Sequence, residues 1–330
     1  MAAHRRLAGA VSDRRVPLNL ITGFLGVGKT TAVRHLLANK PAGEFWAVLV
    51  NEFGEVGIDG AAISGAADGL NVVEVPGGCI CCVTSPMLRV SITKLLRERR
   101  PDRLLIEPSG LGHPTGIIDL LREPMLAKVL DIGPVITLVD PRSLDDVRYT
   151  SNETWRDQIA LADVLVANKC DRADADQVDR FLALANSMFP AKLAVRTTLH
   201  GQIDLDLLDL RDTSRYRPAR PLSLASAGTV QQASMGWSWP PEQRFRANAL
   251  AELFQRLGDH AALDLPPLLR AKGVFHTDHG WLLYNWVGGE ASATDIAWRR
   301  DSRCEVIVAA ESGNWSRLEA QLAECMIAAA

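Results

Sequence analysis

The stretch Gly23-Phe-Leu-Gly-Val-Gly-Lys-Thr30 (GFLGVGKT) decides the fold class of this 330-residue chain. It fits the pattern G-x-x-x-x-G-K-[ST], follows the apolar run Pro17–Thr22 and opens a segment, Thr30–Asn39, with apolar residues at helical spacing. Glycines let the backbone fold round a phosphate with its N–H groups pointing inward, and the following helix offers its positive N-terminus to the same anion. The order strand, glycine-rich turn, helix predicts a phosphate-binding unit; the alternative is a chance glycine-rich turn.

Two residues of this stretch have expected roles of their own. Lys29 is expected to reach the β- and γ-phosphates of a nucleotide, and the Thr30 hydroxyl to ligate Mg²⁺. The other residues expected to line the phosphates are Gly23, Gly26, Val27, Gly28 and Thr31.

Short apolar runs alternate with helical patterns along the first two thirds of the chain. This alternation predicts an α/β fold, a P-loop NTPase with a doubly wound, mostly parallel sheet, whose ligands sit at the carboxyl ends of the strands. The further apolar runs are Ala47–Val50, Val72–Val75, Leu104–Ile106, Val135–Val139, Val164–Ala167 and Leu193–Val195. The helical patterns are Ser85–Arg100, with Met87, Val90, Leu95 and Leu96 as expected core residues, Ser143–Ala162 and Asp174–Met188.

The composition changes after about Leu210 and suggests a division into domains. Residues 1–16 are expected to be a disordered, basic N-terminal tail, with a transit peptide left open, and 17–210 the P-loop domain. Residues 211–241 are rich in Arg, Ser, Ala and Pro and are predicted to be a linker. Residues 242–330, with a helix and a short hairpin round Thr277–His279, are predicted to be a smaller α+β domain.

Charge, hydropathy and cysteine count exclude several classes of protein. The formal net charge of −3 provides no broad basic field, so no nucleic-acid partner is expected. No apolar run approaches the roughly 18 residues of a membrane helix, so no membrane partner is expected either. Six cysteines are too few for a disulfide scaffold in a chain of this length, and they indicate reduced thiols in the cytoplasm.

The stretch Asn168-Lys169-Cys170-Asp171 follows the apolar run Val164–Ala167 and looks like the N-K-x-D guanine motif of GTPases. The aspartate of that motif accepts two N–H bonds from the guanine edge, which adenine does not offer. GTP and GDP are therefore the expected nucleotides. Cys170 occupies the variable position and is expected to pack.

The stretch Glu107-Pro-Ser-Gly110 follows another apolar run. An acidic residue at a strand end that faces a phosphate loop can hold Mg²⁺ directly or through water, which makes Glu107 a candidate ligand. Gly110 can turn its N–H toward a γ-phosphate, as switch loops do. Lys29, Glu107 and Gly110 are the candidate catalytic residues, and spacing assigns no base. Asp140, at the next strand end, is expected to have a structural role.

Three thiols crowd the stretch GGCICC, at Cys79, Cys81 and Cys82. Thiolates are soft donors that suit Zn²⁺ and other late transition metals. The two preceding glycines permit a tight turn that converges the sulfurs, and three donors leave a fourth position open for exchange. A site for Zn²⁺ is expected, with Co²⁺, Ni²⁺ and Fe²⁺ left open. The alternatives are a redox switch and buried, inert cysteines; Cys304 and Cys325 are expected to be core thiols.

Taken together, these stretches resemble the CobW-type metallochaperone GTPases, relatives of the urease and hydrogenase maturation GTPases. The resemblance covers most of 17–287, and Cys-x-Cys-Cys in a P-loop protein is its most specific part. The stretches that carry it are GFLGVGKTT (Gly23–Thr31), NEFGEVGID (Asn51–Asp59), EVPGGCICC (Glu74–Cys82), EPSGLGHP (Glu107–Pro114), NKCD (Asn168–Asp171), LHGQIDL (Leu199–Leu205) and AKGVF (Ala271–Phe275).

The resemblance implies a GTPase whose nucleotide state controls metal loading and the docking of a client metalloprotein. It implies switch loops at Asn51–Asp59 and Glu107–Pro114, a contribution of Glu52 to Mg²⁺ or transition-metal binding, and a C-terminal domain that helps to recognise the client. Many members carry a His-rich metal-concentrating loop, which this chain lacks, so high-capacity metal storage is not expected. A homodimer is left open.

The leading hypothesis is therefore a GTP-hydrolysing metallochaperone. The alternatives are a regulatory GTPase with a structural or redox cysteine motif that acts by docking a partner, and an ATP-dependent small-molecule kinase. Trp237 and Trp239 have two interpretations, a client-binding patch or packing on the linker. A metal site formed by His276 and His279 across a turn competes with an ordinary exposed hairpin.

Overall fold

The structure is a computed structural model that describes residues 14–50, 70–74, 86–112, 114–211, 233–296, 299 and 301–328. Within these ranges the chain forms two sheets, one in each half of the sequence. No described helix combines the length and the apolar composition that crossing a membrane requires.

The first sheet has seven described strands in the order β3-β2-β4-β1-β5-β6-β7, and each neighbouring pair is parallel. Its strands are β1 (Val16–Gly23), β2 (Trp46–Val50), β3 (Leu70–Glu74), β4 (Arg103–Glu107), β5 (Leu130–Val139), β6 (Val164–Ala167) and β7 (Ala194–Thr197). The prediction of a doubly wound parallel sheet is confirmed.

Helices cover both faces of this sheet. Consequently strands such as β2 and β4 are buried along their whole length, which explains their unbroken apolar runs. The helices are α1 (Lys29–Ala38), α2 (Pro86–Glu98), α3 (Pro114–Leu121), α4 (Pro124–Ala127), α5 (Val147–Thr150), α6 (Glu153–Leu161) and α7 (Ala175–Ser187). Side chains of α2 and α3 pack in one core cluster with β1 and β4, and those of α1 in another.

The core face of α2 differs from the prediction. Met87 and Val90 were expected in the core, but they are 41% and 56% exposed. Leu95 is buried as expected, together with Leu88 and Ile92, because the spacing of four and three residues aligns these three on one side of the helix.

The single helix predicted over 143–162 is replaced by a 3₁₀ turn (Pro141–Asp145), α5 and α6. Three short polar side chains explain the breaks, since each accepts a hydrogen bond from a backbone N–H just ahead of it. Asp140 caps the turn, Asp146 caps α5 and Asn152 caps α6. Capping therefore overrides the continuous helical periodicity.

The second sheet is antiparallel, with the order β11-β10-β9-β12-β8. Two helices pack on it, and the result is the smaller α+β domain expected from the sequence. The strands are β8 (Ala233–Trp239), β9 (Leu268–Thr277), β10 (Gly280–Val287), β11 (Glu290–Asp295) and β12 (Ser302–Val308), and the helices are α8 (Ala247–Arg256) and α9 (Ser316–Glu324).

Strand β8 lies within the segment predicted to be a linker. Its two tryptophans pack inside the domain: Trp237 meets Trp315 edge to face at 6.3 Å between ring centroids, and Trp239 meets Phe245 at 5.2 Å. These contacts favour the interpretation of the pair as packing residues, here against the core of the second domain, over that of a client-binding patch.

Two further expectations concern single residues of the second domain. Cys304 and Cys325 are buried, as expected of core thiols, and burial raises the pKa of both. His276 stacks on Trp281 at 4.8 Å, and its Nδ1 lies 2.7 Å from the Pro241 carbonyl oxygen. These contacts occupy the ring in packing and favour the interpretation of the hairpin without a metal.

Candidate nucleotide-binding site

The phosphate loop connects β1 to α1 at the carboxyl edge of the first sheet. Gly28 is the N-cap of α1, with φ at +98°, and an added Cβ would lie 2.5 Å from the Asn168 Nδ2. A side chain there would be strained and would also collide with the guanine motif, so the glycine is required on two grounds. Gly23 and Gly26 also have positive φ, which gives the loop its tight path.

Lys29 begins α1 and is buried, with Nζ donating to the Phe24 carbonyl at 3.2 Å. Its ammonium therefore lies across the phosphate loop, where a phosphate is expected to bind. Backbone N–H groups at the start of the same helix have no partner within the helix, so this end of α1 carries a partial positive charge. Ammonium and helix terminus together form a site for an anion.

Thr30 and Glu107 lie side by side, although they come from different βα units. The Thr30 hydroxyl donates to Oε1 of Glu107 at 2.6 Å, and Glu107 is buried at the end of β4, directly beside β1 in the sheet. The sequence predicted that both contribute to one metal site, and the fold brings them together. Their roles as ligands stay a prediction.

The guanine motif packs directly on the phosphate loop. Asn168 is buried; its Nδ2 donates to the Val27 carbonyl at 2.8 Å. Lys169 has φ of +62°, and its Nζ donates to the Gly26 carbonyl at 2.5 Å. Asp171 keeps its side chain 33% exposed, with Oδ2 at 3.8 Å from Arg172, so the carboxylate is accessible to a ligand. The base-reading residues and the phosphate loop thus form one continuous surface.

Asp140 supports this surface from the end of β5. Its carboxylate accepts two hydrogen bonds from the Arg142 guanidinium, at 2.9 and 2.7 Å, and lies 3.8 Å from Lys169 Nζ. Burial acts to raise the pKa of Asp140, but the hydrogen bonds and charge of Arg142 outweigh it and lower the pKa below its ordinary value. An ionised Asp140 therefore holds Lys169 in place, which agrees with the structural role expected for it.

The loop after β7 also contributes to the site, a role that was not expected for it. Gly201 donates its N–H to Oδ1 of Asn168 at 3.0 Å, and an added Cβ would lie 2.8 Å from the Ala32 nitrogen on α1. His200 and Gly201 both have positive φ, +54° and +68°. The loop therefore closes the pocket on the side of the guanine motif. The glycine of the stretch LHGQIDL, one of those that carry the family resemblance, was the signal available in the sequence.

Gly110 lies against the phosphate loop, on the side of Glu107. A Cβ at this position would lie 2.7 Å from the Leu25 nitrogen and 2.9 Å from its Cα. Only glycine permits this approach, and it places the loop after β4 next to the phosphate loop, as its expected role requires. The remaining part of the predicted second switch, up to Pro114, includes position 113, which lies outside the described residues.

The first half of the chain matches a known family. Residues 17–195 match the family model described as "CobW/HypB/UreG, nucleotide-binding domain". The chain belongs to the CobW/HypB/UreG family. Residues 234–326 match a second model, "Cobalamin synthesis protein cobW C-terminal domain", so the second sheet of this CobW/HypB/UreG protein also has a known counterpart. The resemblance inferred from the motifs is confirmed.

Similar proteins extend the match over nearly the whole chain. Zinc chaperone YeiR of Escherichia coli strain K12 is 38% identical over 327 residues, which cover 94% of this chain and 98% of that protein. Zinc chaperone YjiA of the same strain is 36% identical over 200 residues, 58% of this chain and 60% of that protein. A crystal structure of Zn(II)-bound YjiA GTPase from E. coli covers 94% of this chain and 99% of its own, with 23% identity and a TM-score of 0.46.

The predicted metal-binding residues Cys79, Cys81, Cys82 and Glu52 lie outside the described residues, and so does the predicted switch loop Asn51–Asp59. Within the described ranges, no group of three or more His, Cys, Asp or Glu side chains is arranged to hold a metal ion. The cysteine motif therefore stays the candidate transition-metal site of this CobW/HypB/UreG protein.

Proposed function

We propose that this chain is a GTP-hydrolysing metallochaperone that carries zinc on Cys79, Cys81 and Cys82 and delivers it to a client metalloprotein. The observation that carries the proposal is the joining of a phosphate loop to a guanine motif in a chain that is similar, over 94% of its length, to a zinc chaperone. Cobalt, nickel and iron are the other ions that such thiolates bind well.

The residues of the nucleotide site divide the work of binding and hydrolysis. Lys29 and the N-terminus of α1 bind the terminal phosphates, and Gly110 offers its N–H to the γ-phosphate. Asn168 and Lys169 hold the phosphate loop in shape through Val27 and Gly26. Hydrolysis depends mostly on such positioning and on stabilisation of charge, which fits a slow, switch-like turnover.

The donor set of Thr30 and Glu107 fits Mg²⁺. A hydroxyl and a carboxylate oxygen 2.6 Å apart are hard oxygen donors that converge on one point beside the phosphate loop. When bound there with GTP, Mg²⁺ would neutralise charge that develops on the phosphates. Thr30 and Glu107 would hold it, and no other described residue is assigned to it.

The sheet register supports a short distance between the metal cargo and the nucleotide. Val50 of β2 pairs with Glu107 of β4 on one side and with Glu74 of β3 on the other. Two strand spacings put the backbones of residues 74 and 107 about 10 Å apart. Cys79 follows Glu74 by five residues, so an extended chain carries it at most about 18 Å from there. We infer that the cysteine motif and the nucleotide site share the carboxyl edge of the sheet.

This proximity supports coupling between the two ligands. GTP is proposed to order Asn51–Asp59 and Glu107–Pro114 and thereby to change the geometry at the cysteines, so that hydrolysis releases zinc to the client. Those two loops and the C-terminal domain are proposed to dock the client, in the cytoplasm, where thiols stay reduced. Linkage requires that zinc changes GTP affinity by the same factor as GTP changes zinc affinity.

Zinc titration of the purified full chain tests the cargo site. Calorimetry is run with and without a hydrolysis-resistant GTP analogue, on the wild type and on the variant Cys79→Ser/Cys81→Ser/Cys82→Ser. The variant should lose about 100-fold or more in zinc affinity while it still binds the analogue. Cys170→Ser, a thiol next to the nucleotide site, is the control that should keep zinc affinity. A triple variant that unfolds would favour a structural cysteine motif, and equal zinc affinity with and without nucleotide would refute the coupling.

Nucleotide competition tests the base preference. Wild type should bind GTP at least about 100-fold more tightly than ATP, because adenine leaves the Asp171 carboxylate without its two donors. Asp171→Asn keeps the shape of the side chain and should abolish most of this preference. A wild-type preference for ATP would instead favour an ATP-dependent kinase.

A further inference from the structure

Gln158 is a buried polar residue that none of the recognised motifs contains. It lies on α6, only 1% exposed, next to the core residue Ile159. A primary amide buried in such a place is unfavourable unless its polar atoms find hydrogen-bond partners. The partners that it has therefore indicate what it does.

The side-chain amide of Gln158 makes two hydrogen bonds to the loop after β4. Its Nε2 donates to the carbonyl oxygens of Gly110 and Gly112, each at 3.1 Å. Both amide hydrogens are used, and they hold the carbonyls on either side of Leu111. One side chain thus orients two carbonyls of the same loop.

The loop itself is a tight turn that Ser109 closes from the other side. Gly112 donates its N–H to the Ser109 carbonyl at 3.0 Å, and Leu111 donates its N–H toward the Ser109 hydroxyl at 3.4 Å. The peptide between Gly110 and Leu111 is therefore oriented at both of its ends, by Gln158 at the carbonyl and by Ser109 at the N–H.

Gln158 is in turn anchored to the sheet. Its backbone carbonyl accepts a hydrogen bond from the Thr137 hydroxyl at 3.1 Å, so helix α6 is attached to β5 at this residue. Gln158 therefore links β5 to the loop that holds Gly110 against Leu25 of the phosphate loop. Loss of the amide would free the Gly110 and Gly112 carbonyls in the loop that lies against the phosphate loop.

The remaining polar atom of the Gln158 side chain adds a cost to burying this residue. Its Oε1 is buried and has no hydrogen-bond partner within the described part of the chain. A buried acceptor in this state is destabilising, and an apolar residue of similar size would avoid the cost. The two bonds to the loop are what an apolar residue would not supply.

We propose that Gln158 is the positioning residue of the loop 109–112 and that it sets the preference of the site for GTP over GDP. The inference rests on the proposed GTPase function. Gly110 is proposed to meet the γ-phosphate, which GDP lacks, so a displaced loop should weaken the binding and hydrolysis of GTP and leave GDP binding unchanged. A residue that merely filled the core would affect both nucleotides through stability alone.

The variant Gln158→Met tests this, because methionine keeps the length of the side chain and removes both donors. Affinity for GDP and for a hydrolysis-resistant GTP analogue is measured by calorimetry on the full chain, with kcat and KM for GTP. We expect about a tenfold loss in analogue affinity and in kcat for the two hydrogen bonds, with GDP affinity within about twofold of wild type. Gln158→Glu replaces the donor by an oxygen and should act in the same direction if the methionine variant fails to fold.

Ile159→Val is the matched control. It trims the neighbouring buried side chain on α6 and leaves the Gln158 amide and its anchor on Thr137 in place. It should lower thermal stability without changing the ratio of the two nucleotide affinities. Equal losses for GDP and the analogue in the Gln158 variants, or the same change of ratio in Ile159→Val, would overturn the inference. A wild type that binds no GTP would instead remove the proposed function on which the inference rests.

Discussion

Asn168 donates a hydrogen bond of 2.8 Å to the carbonyl of Val27, a residue 141 positions earlier in the chain. The same side chain accepts the Gly201 N–H at 3.0 Å, so one buried amide joins the guanine motif, the phosphate loop and the loop after β7. The shape of the phosphate loop therefore depends on a residue whose sequence signature concerns the base.

Replacement of Asn168 by alanine is expected to damage stability and nucleotide binding together. It leaves the Val27 carbonyl and the Gly201 N–H buried without their partner, which costs about 2 kcal/mol or more in the free energy of unfolding. Urea unfolding measures this loss, and calorimetry with GDP should show at least about a tenfold weaker affinity. Asn314→Ala removes an exposed amide that binds Asp264 and the Ser316 N–H in the second domain; as the control, it should cost less stability and leave GDP affinity unchanged. Unchanged GDP affinity in Asn168→Ala would contradict the proposed link.

The sequence predicted the first sheet well because its strands are buried on both faces. Runs such as Leu104–Ile106 and Val164–Ala167 are apolar throughout, and each ends at a polar motif at the carboxyl edge. The expected proximity of Thr30 and Glu107 followed from the same rule, since strand ends of a parallel sheet share one edge.

The sequence was a poorer guide to elements whose limits depend on helix capping and to side chains whose partners are far away in the chain. Strand β8 was not predicted, because the Arg, Ser and Pro around it indicated a linker. The segment forms a strand through its pairing with β12. The helix predicted over 143–162 is divided by Asp146 and Asn152, whose caps outweigh periodicity. The contact of Gln158 with the loop could not be predicted, because its partners Gly110 and Gly112 are more than forty residues away in the chain.

Gly201→Ala is expected to be more harmful than the same change at Gly43. Both glycines have left-handed backbone, with φ of +68° and +83°, so alanine is strained by about 1 kcal/mol at either position. At Gly201 the added Cβ also lies 2.8 Å from the backbone nitrogen of Ala32, whereas at Gly43 it meets nothing within 4 Å. The free energy of unfolding should therefore fall by about 1–3 kcal/mol more in Gly201→Ala, as measured by urea unfolding. Equal losses would mean that α1 moves away without cost.

Lys192 is expected to make stability depend on pH above neutrality. Burial, aided by the charge of Arg299 and opposed by Asp163, lowers the pKa of Lys192 to about 7. In the unfolded chain a lysine has a pKa of about 10.4. Between these values the unfolded state holds a proton that the folded state lacks, so the free energy of unfolding rises with pH, by up to about 1.4 kcal/mol per pH unit. The Nζ donates to the last carbonyls of α6, those of Ile159, Ala160 and Ala162.

The variant Lys192→Met separates this contribution from those of other groups. The unfolding free energy of the wild type, relative to that of the variant, should increase as pH is raised from about 7 to about 10. Urea unfolding at several pH values measures it, with Lys128→Met as the control for the loss of one exposed positive charge. A difference that stays constant over this range would show that Lys192 remains protonated and is held by its three carbonyl acceptors.

Trp281 is expected to connect the stability of the two domains. It belongs to β10 but packs against the core cluster that α3 forms with the first sheet, and His276 stacks on its ring. On α3, burial raises the pKa of Asp119 while the charges of Arg122 and His276 oppose this rise, so His276 also lies near that helix. Trp281→Ala removes the apolar part of this contact and should lower the unfolding temperature of the second domain by about 5 °C in scanning calorimetry.

The effect of nucleotide on the unfolding temperature of the second domain shows whether the Trp281 contact transmits stability between the domains. A ligand stabilises the domain that binds it, and a second domain gains only as much as its contacts with the first transmit. In wild type the hydrolysis-resistant GTP analogue should therefore raise the unfolding temperature of both domains, because α3 directly follows the loop that holds Gly110. In Trp281→Ala it should raise only that of the first. Trp237→Ala, which removes packing against Trp315 inside the second domain, should lower stability and keep the nucleotide response. A full response in Trp281→Ala would locate the connection elsewhere.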